Sequence, residues 1–392
     1  MQWLGVPRAT HLSLSLLTVT ARSEVVLGGT FDGALAVGDR VVASATTRSG
    51  FVLALDLDGR VRWSWTFAGT ASDLVSDAAG QVHVVGRADR TPLTEGDAVD
   101  DGTAMLVRLD GGVVREVHRF LGASGGVAYE IAVDDDGARF IAMAAPRTFT
   151  LAGRTYPASD DAGAPEIVAH VDATGAVVGA FPTRGHVAAL AADATGLTVA
   201  AHGSGTPIRY APDGEEVFAN LWISHDRDER LLPIRASSLV LEPDGGAIVA
   251  GTYVGAILVG DTLLRNTERH SDGYDDPCEF DAIAVGLDRR TAPSWAQPFG
   301  GHGDDAFHSV AREPSGAFWV AGEEAFACDG FSGPLPGRPL LLRYEADRAA
   351  VERVELGVER GAARVVAVAP DRSAFVLGQA GGPFLIRVLP EE

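Results

Sequence analysis

The chain has 392 residues and a formal net charge of −21, and 46% of its residues are hydrophobic. This charge argues against a nucleic-acid partner and against an anionic membrane surface, because both need a basic face. No run of about eighteen apolar residues occurs, so we expect no membrane-spanning helix. The hydrophobic residues fall instead in short runs closed by Gly and Asp, a pattern typical of an all-β protein.

The first predicted element is a strand over residues 12–19. Its sequence, Leu-Ser-Leu-Ser-Leu-Leu-Thr-Val, alternates as a half-buried strand does. A short signal peptide is the alternative, since Arg8 precedes the apolar run and Val19-Thr20-Ala21 resembles a cleavage site. We expect the strand, because it also completes a repeat that runs along the rest of the chain.

Two segments that lie far apart in the chain are nearly copies of each other. Residues 29–42 read GTFDGALAVGDRVV and residues 251–264 read GTYVGAILVGDTLL, with seven of fourteen positions identical. Each copy follows a short apolar run and precedes a further strand. Self-similarity of this kind is the signature of a repeat architecture.

The predicted repeat unit has four strands and appears seven times. Its first strand starts near each of the following residues: Phe51, Ala104, Glu166, Thr206, Phe280, Pro339 and Pro383. In five units an acidic residue stands three places before a glycine, between the third and fourth strands: Asp77/Gly80, Asp134/Gly137, Asp193/Gly196, Glu242/Gly245 and Glu313/Gly316. The acidic side chain can accept hydrogen bonds from the backbone ahead of it, and glycine supplies the positive φ that a tight hairpin needs.

The seventh unit is divided between the two ends of the chain. Only one strand follows Pro383, whereas Trp3, residues 12–20 and residues 25–28 supply the other three. Pairing of the C-terminal strand with the N-terminal strands would close a ring and leave only short edges. The sequence therefore predicts a single domain over residues 1–392, an all-β seven-bladed β-propeller with four-stranded antiparallel blades.

The fifth unit carries a characteristic series of motifs: Leu287-Asp288, Trp295, Phe299-Gly300-Gly301, Gly303-Asp304-Asp305, Glu313-Pro314-Ser315-Gly316 and Trp319-Val320-Ala321-Gly322. This series resembles the bacterial seven-bladed β-propeller repeat (SBBP) family, and weaker copies extend the resemblance over essentially the whole chain. The resemblance implies a protein that is secreted or exposed on the bacterial surface. It implies no common reaction, because a fold by itself does not determine function.

One position of the predicted first strand holds a basic residue in five of the seven units: Arg108, His170, Arg209, Arg343 and Arg387. If this strand is the innermost of its blade, it borders the central channel, and the five side chains would ring that channel and concentrate an anion there. The alternative is that each side chain pairs with an acidic group on a neighbouring strand. We predict the five as candidate binding residues.

Residues that suit a divalent metal occur between the second and third strands of the fifth unit. Two imidazoles and two carboxylates fall within seven residues there: His302, Asp304, Asp305 and His308. The alternative is that the two carboxylates bond their own backbone in a turn. A second acidic group offers oxygen ligands of the kind that calcium prefers: Asp275, Asp276, Glu279 and Asp281. No other cofactor is expected.

The long loops between repeats are the expected contact surface: 87–103, 144–165, 221–235 and 252–279. Loops carry function more often than the repeated elements that support them. Trp222 lies in one of these loops beside His225 and acidic residues, so we predict that it contacts a partner. Cys278 and Cys328 fall in corresponding loops of consecutive units, where a disulfide could join them in an oxidising compartment.

No catalytic residue is predicted. Gly122-Ala123-Ser124-Gly125-Gly126 has the spacing of a nucleophile elbow, but no helix follows it as that motif requires. We therefore expect a non-enzymatic monomer, extracellular or on the cell surface, that binds a protein, peptide or glycan through its rim loops or channel mouth. The alternative is a metal-assisted lyase or hydrolase with its site at the channel mouth. Elemental analysis separates the two, since only this enzyme requires a bound metal.

Overall fold

The computed structural model describes residues 1–89, 102–124, 126–144, 148–157, 166–202, 207–219, 234–254, 256–259, 262–265, 280–300, 303–325, 337–348 and 351–390. Throughout these residues the backbone forms strands, turns and loops without an α-helix. This part of the chain accordingly contains no helix that could cross a membrane.

The strands are numbered in chain order. The first eleven are β1 (Gln2–Leu4), β2 (Pro7–Arg8), β3 (His11–Val19), β4 (Val25–Val37), β5 (Arg40–Leu55), β6 (Val61–Ser76), β7 (Val82–Ala88), β8 (Thr103–Asp110), β9 (Val113–Ser124), β10 (Val127–Val133) and β11 (Arg139–Ala144). The next eleven are β12 (Phe149–Leu151), β13 (Arg154–Tyr156), β14 (Ile167–Val171), β15 (Val177–Pro182), β16 (His186–Asp193), β17 (Gly196–His202), β18 (Ile208–Tyr210), β19 (Glu216–Ala219), β20 (Ile234–Leu241), β21 (Ala247–Tyr253) and β22 (Ala256–Val259). The last ten are β23 (Thr262–Arg265), β24 (Asp281–Leu287), β25 (Pro293–Phe299), β26 (Ala306–Arg312), β27 (Phe318–Glu324), β28 (Arg338–Tyr344), β29 (Val351–Arg353), β30 (Ala362–Val368), β31 (Ala374–Gln379) and β32 (Pro383–Val388).

Backbone hydrogen bonds divide most of the described strands into antiparallel sets of four: β3-β4-β5-β6, β6-β7-β8-β9, β10-β11-β14-β15, β16-β17-β18-β19, β20-β21-β24-β25, β26-β27-β28-β29 and β30-β31-β32-β1. We refer to them as the first to seventh sets. Strand β6 is shared, because it pairs with β5 up to Ala68 and with β7 from Gly69 onward. Gly69 has a φ of 142°, and a Cβ there would lie 2.1 Å from the carbonyl oxygen of Arg87. The chain can therefore pass from one set to the next only with glycine at this position.

The sets follow one another in a ring. The first strand of each set contacts the first strand of the next, from β3 through β6, β10, β16, β20, β26 and β30, and β30 contacts β3 again. The buried core lies between neighbouring sets. For example, one cluster joins Leu27 and Leu53 of the first set to Leu377 and Leu385 of the seventh.

The two ends of the chain lie in one sheet. Trp3 on β1 is opposite Ile386 on β32, so the predicted pairing of the C-terminal strand with an N-terminal strand is confirmed. The predicted strand at residues 12–19 is also confirmed, as β3. However, β3 and the start of β4 belong to the next set rather than to the sheet of the C-terminal strand. The assignment of residues 12–28 to the same blade as Trp3 is therefore wrong.

The error arises because the predicted unit is shifted by two strands from the hydrogen-bonded set. A repeat in sequence has no intrinsic starting point, and long connections occur both within and between sets. The loop after β7, for instance, joins β7 to its own partner β8. Consequently, the strand that is predicted to be first in a unit is third in its hydrogen-bonded set. The strand that is predicted to be third in a unit is first in the next set, and this first strand is the innermost one.

Each of the seven first strands carries a β-bulge near its start, two to four residues after the strand enters its pairing. The pairing skips one residue in each: Ser15, Ser72, Tyr129, Ala188, Ser237, His308 and Arg364. A bulge increases the local twist and redirects a side chain. In three sets the residue after the bulge also accepts a hydrogen bond from the next first strand, for example Ser309 Oγ from Val366 N at 3.1 Å.

Within the described residues, three sets extend the connection between their second and third strands into an additional hairpin. In the first set β4 and β5 themselves are prolonged, while β12–β13 and β22–β23 are separate two-stranded ribbons in the third and fifth sets. The two copies recognised in the sequence at 29–42 and 251–264 therefore run from a second strand into this hairpin. Part of the second copy lies outside the described residues.

Candidate functional site

The five basic residues predicted to ring the channel lie on the third strands of their sets: Arg108 on β8, His170 on β14, Arg209 on β18, Arg343 on β28 and Arg387 on β32. Third strands do not border the channel, because the strands that contact one another around the ring are the first ones. The predicted placement of these five residues around the channel is therefore wrong, because the predicted repeat unit is shifted by two strands. Their role as binding residues stays a prediction.

Each of the four arginines forms an ion pair, as the alternative interpretation held: Arg108–Glu116, Arg209–Asp193, Arg343–Glu313 and Arg387–Asp371. In the sixth set Arg343 Nε donates to Glu313 Oε1 at 2.8 Å. Burial alone would raise the pKa of Glu313, but hydrogen bonds from Arg343, Ser315 and Trp319 lower it. These arginines are engaged in hairpins and at sheet edges.

His170 takes the same place in the third set without a carboxylate. Its ring stacks on Phe140 with 4.5 Å between ring centroids, and its Nδ1 donates to the carbonyl oxygen of Pro212 at 2.9 Å. A carbonyl only accepts, so the proton is on Nδ1. Like the arginines, His170 is engaged within the fold.

The first strands bring two acidic residues together. Asp73 on β6 and Glu130 on β10 each follow the bulge of their strand. Asp73 accepts hydrogen bonds from the backbone N–H of Ile131 at 2.9 Å and of Leu74 at 2.7 Å. Burial nevertheless raises the pKa of Asp73 to about 7, and burial together with the charge of Asp73 raises the pKa of Glu130 well above its ordinary value. The pair therefore retains a proton near neutral pH.

The substitution Asp73→Asn is expected to reduce the pH dependence of stability, because Glu130 alone then remains of the pair. A carboxyl whose pKa is raised on folding contributes stability that is fully present below its unfolded pKa, near 4, and is lost as pH rises through about 7. Each unit of pKa corresponds to about 1.4 kcal/mol, so we expect the wild-type free energy of unfolding to fall by about 1–3 kcal/mol between about pH 5 and pH 8 because of this pair. Urea denaturation at the two pH values measures this.

Ser309→Ala is the matched control for Asp73→Asn. It removes the equivalent bond between first strands without removing a titratable group, so its pH dependence should remain that of the wild type. The same fall in stability in wild type and in Asp73→Asn would contradict the expectation.

A cavity of about 740 Å³ opens on one face of the ring. Its walls come from the starts of β26 and β30, from the start of β20, and from connections between second and third strands in the fifth, sixth and seventh sets. In an antiparallel sheet these positions lie at the same end. We call it the face cavity, and its charged and aromatic lining is Arg235, Phe280, Asp304, Asp305, Glu323, Arg360 and Arg364.

His308, at the bulge of β26, connects two charged residues of the face cavity. Its Nε2 lies 2.8 Å from Arg364 Nη1 and 3.2 Å from Glu323 Oε1. A guanidinium can only donate, so Nε2 accepts from Arg364 when the ring is neutral, and a proton on Nε2 would be donated to Glu323 instead. Burial alone would raise the pKa of Glu323, but the hydrogen bond and charge of His308 and the charge of Arg364 lower it. Glu323 is therefore an ionised, engaged carboxylate.

The two aspartates of the predicted metal site hold the cavity wall together. Asp304 Oδ1 accepts from the N–H of Phe280 at 3.2 Å, and Asp305 Oδ1 accepts from the N–H of Ala325 at 2.8 Å. The N–H of Asp305 also donates to the carbonyl oxygen of Phe280 at 2.8 Å. Both carboxylates thus bond backbone groups, although in neighbouring segments rather than in their own turn.

Within the described ranges no three His, Cys, Asp or Glu side chains converge as a metal site would require. His302, the fourth predicted ligand, lies outside them, so the metal site at His302, Asp304, Asp305 and His308 stays a prediction. Trp222, Cys278, Cys328 and three of the four residues of the predicted calcium group also lie outside the described residues. The fourth, Asp281, is buried.

Two guanidinium groups of the face cavity differ from the paired arginines. Arg235 is exposed at the start of β20, and its guanidinium carbon lies 4.5 Å from the centroid of the Phe280 ring. Arg360 is exposed just before β30. Neither forms an ion pair within the described part of the chain. The face cavity thus combines two available cations with an aromatic ring.

Comparison with protein-family models and with curated proteins finds no match. Solved structures do match in fold. The WD40 domain of Pan2 from Neurospora crassa has a TM-score of 0.58 and 10% identity, with 100% of this chain and 96% of that one covered. The WD40 repeats of RRP9 have a TM-score of 0.54 and 11% identity, with 99% of both chains covered. The fold is a β-propeller.

A streptogramin B lyase is a further similar structure, with a TM-score of 0.50, 10% identity and 98% of both chains covered. At such identities the likeness shows the fold alone. The predicted fold class, an all-β propeller with four-stranded antiparallel sheets, is confirmed. The resemblance to the SBBP family stays a prediction, because no family model matches the propeller.

Sequence reasoning missed the cations of the face cavity and the acid pair. Arg364 occupies the same bulge position in the seventh set as His308 in the sixth, and Arg235 and Arg360 stand where first strands begin. Aligning the seven first strands of the propeller by their bulges would have exposed this signal. The predicted alignment used the third strands instead.

Proposed function

We propose that this propeller is a non-enzymatic binding protein that takes up a peptide segment of a partner protein in the face cavity. The supporting observation is the cavity itself, at about 740 Å³ and with walls from three consecutive sets. Ligand sites in proteins typically measure about 300 to 1,000 Å³ and combine apolar lining with a few polar groups. The face cavity has this composition, with Phe280 and several alanines beside its arginines.

One feature favours a peptide over a neutral glycan. Exposed guanidinium groups suit a ligand with charged groups and give little advantage to a neutral glycan.

A metal-assisted lyase or hydrolase is the second candidate. It is favoured by the hydrogen bond between His308 and Glu323, because an imidazole and a carboxylate can act as general acid and general base. It is disfavoured by the engagement of Asp304 and Asp305 with backbone N–H groups. We therefore place it below the binding function.

An array of random peptides of about twelve residues tests the proposed function. We expect the purified wild-type protein to bind a reproducible subset of these peptides. Gln379→Trp should weaken that binding at least about tenfold, because Gln379 is exposed and lines the face cavity, where an indole would fill part of the space. Affinities for the selected peptides can be measured by fluorescence polarisation.

Val178→Trp is the matched control. It places the same indole on the exposed side of β15, in a set that does not line the face cavity. Binding should be unchanged in this variant. Absence of any bound peptide, or equal loss in both variants, would contradict the proposal.

A further inference from the structure

Two exposed cations of this acidic protein line one cavity. The formal net charge is −21, and the four arginines that share one position of the third strands are held by acidic side chains. Arg235 and Arg360 form no ion pair within the described ranges, and both line the face cavity. Two unpaired guanidinium groups facing the same space form an anion-binding arrangement, because their charges repel unless an anion lies between them.

The acidic residues of the face cavity have hydrogen-bond partners of their own. Asp304 and Asp305 accept from backbone N–H groups, and Glu323 is engaged with His308. Asp305 is moreover fully buried behind the wall. The lining therefore presents its cations to a ligand while its carboxylates are engaged in the wall.

Arg235 contacts an aromatic ring of the cavity wall. Its guanidinium carbon lies over the Phe280 ring, 4.5 Å from the ring centroid. A guanidinium that stacks on an aromatic ring keeps the N–H donors at its edge available for a ligand. A carboxylate matches this edge, because its two oxygens can accept two parallel N–H bonds.

We infer that the face cavity recognises a carboxylate of the bound peptide through Arg235 and Arg360. The inference rests on the proposed function and specifies its ligand. The strongly negative chain repels a polyanion, so the ligand carries one carboxylate anchor within an otherwise neutral or basic segment. The carboxylate can be the C-terminus of the peptide or an Asp or Glu side chain.

The test uses the full chain and a peptide array printed in three forms. The first form has a free C-terminal carboxylate, the second has an amidated C-terminus, and the third is amidated with every Asp and Glu replaced by Asn and Gln. We expect binding to be at least about tenfold weaker to the third form than to the first. Loss already in the second form identifies the C-terminal carboxylate as the anchor, and loss only in the third identifies a side chain.

The residues are tested by Arg235→Gln and Arg360→Gln. Each should weaken binding of the first form at least about tenfold and abolish the preference over the third form. Arg8→Gln and Arg40→Gln are matched controls, because these arginines are also exposed but do not line the face cavity. They should leave both affinity and preference unchanged. Circular dichroism of each variant verifies that it is folded.

The outcomes separate the two proposals. One outcome is that the protein binds all three peptide forms equally, and that Gln379→Trp loses affinity while Arg235→Gln and Arg360→Gln do not. This outcome would overturn carboxylate recognition and leave peptide binding in place. Equal losses in the cavity variants and in the Arg8 and Arg40 controls would also overturn it, because the effect would then be one of net charge. Absence of peptide binding to the wild type would overturn both.

Discussion

Truncation of Leu385 to alanine is expected to lower the free energy of unfolding by about 3 to 4 kcal/mol, within the range of about 2 to 5 kcal/mol found for buried leucines. Leu385 is fully buried on β32, opposite Leu4 on β1 and Leu377 on β31. It packs in the cluster that joins the seventh set to the first. A side chain near the C-terminal end of the chain thus packs in the same core cluster as side chains of the N-terminal strands.

Leu389→Ala is the control, because Leu389 follows β32 directly and is 48% exposed. It should change the free energy of unfolding by less than about 0.5 kcal/mol. Leu4→Ala, combined with Leu385→Ala, tests the contact between the two ends. Urea denaturation of the single and double variants should give a coupling energy of at least about 0.5 kcal/mol. If the losses of stability in the two single variants simply add up in the double variant, the contact between the two ends is contradicted.

Glu116→Gln is expected to cost about 3 kcal/mol, since it leaves a buried charge without its partner. Arg139 is 1% exposed and donates from Nη1 to Glu116 Oε2 at 2.9 Å. Glu116 also bonds Arg108 and His118, so one carboxylate serves three basic groups at the boundary between the second and third sets. The amide of Gln keeps the shape but loses the negative charge.

Glu116 also makes the free energy of unfolding decrease at acid pH. Burial alone would raise the pKa of Glu116, but hydrogen bonds from Arg139 and His118 and their charges lower it. A lowered pKa contributes stability above the unfolded value, near 4.5, that is lost as pH falls through the folded value. Wild type should therefore lose more stability than Glu116→Gln when the pH is lowered from about 6 to about 3.

Glu345→Gln is the control for this ion-pair prediction. Glu345 is half exposed and contacts Arg343, which keeps its second partner Glu313. Its replacement should cost less than about 1 kcal/mol, as is usual for exposed pairs. Urea denaturation at neutral pH compares the two variants. Equal costs would contradict the role of burial at Glu116.

Local features of the fold could be predicted because they depend on residues close in sequence. The hairpin at Asp77 to Gly80 is an example, since Gly80 has a φ of 74° and its N–H donates to the carbonyl oxygen of Asp77 at 2.9 Å. The alternation of residues 12–19 likewise predicts β3. Such a turn or strand needs only its own side chains and backbone, so its signal is present in a short window.

The candidate site could not be predicted from the sequence, because it is formed by contacts between segments that are far apart in the chain. Arg235 and Arg360 are separated by more than a hundred residues in sequence and line the same cavity only because their first strands belong to nearby sets. Arg139 and Glu116 similarly belong to different sets. Neither pairing leaves a motif in the sequence.

The sequence by itself determined the repeated strands, the hairpin turns and the pairing of the two ends, because strand periodicity and turn chemistry are local and a repeat multiplies their signal. Only the tertiary structure decided where each sheet begins. It also decided which strand lies innermost, which arginines are neutralised and which face the cavity. These properties depend on hydrogen bonds and ion pairs between residues that are far apart in the sequence. No single segment contains both partners of such a contact.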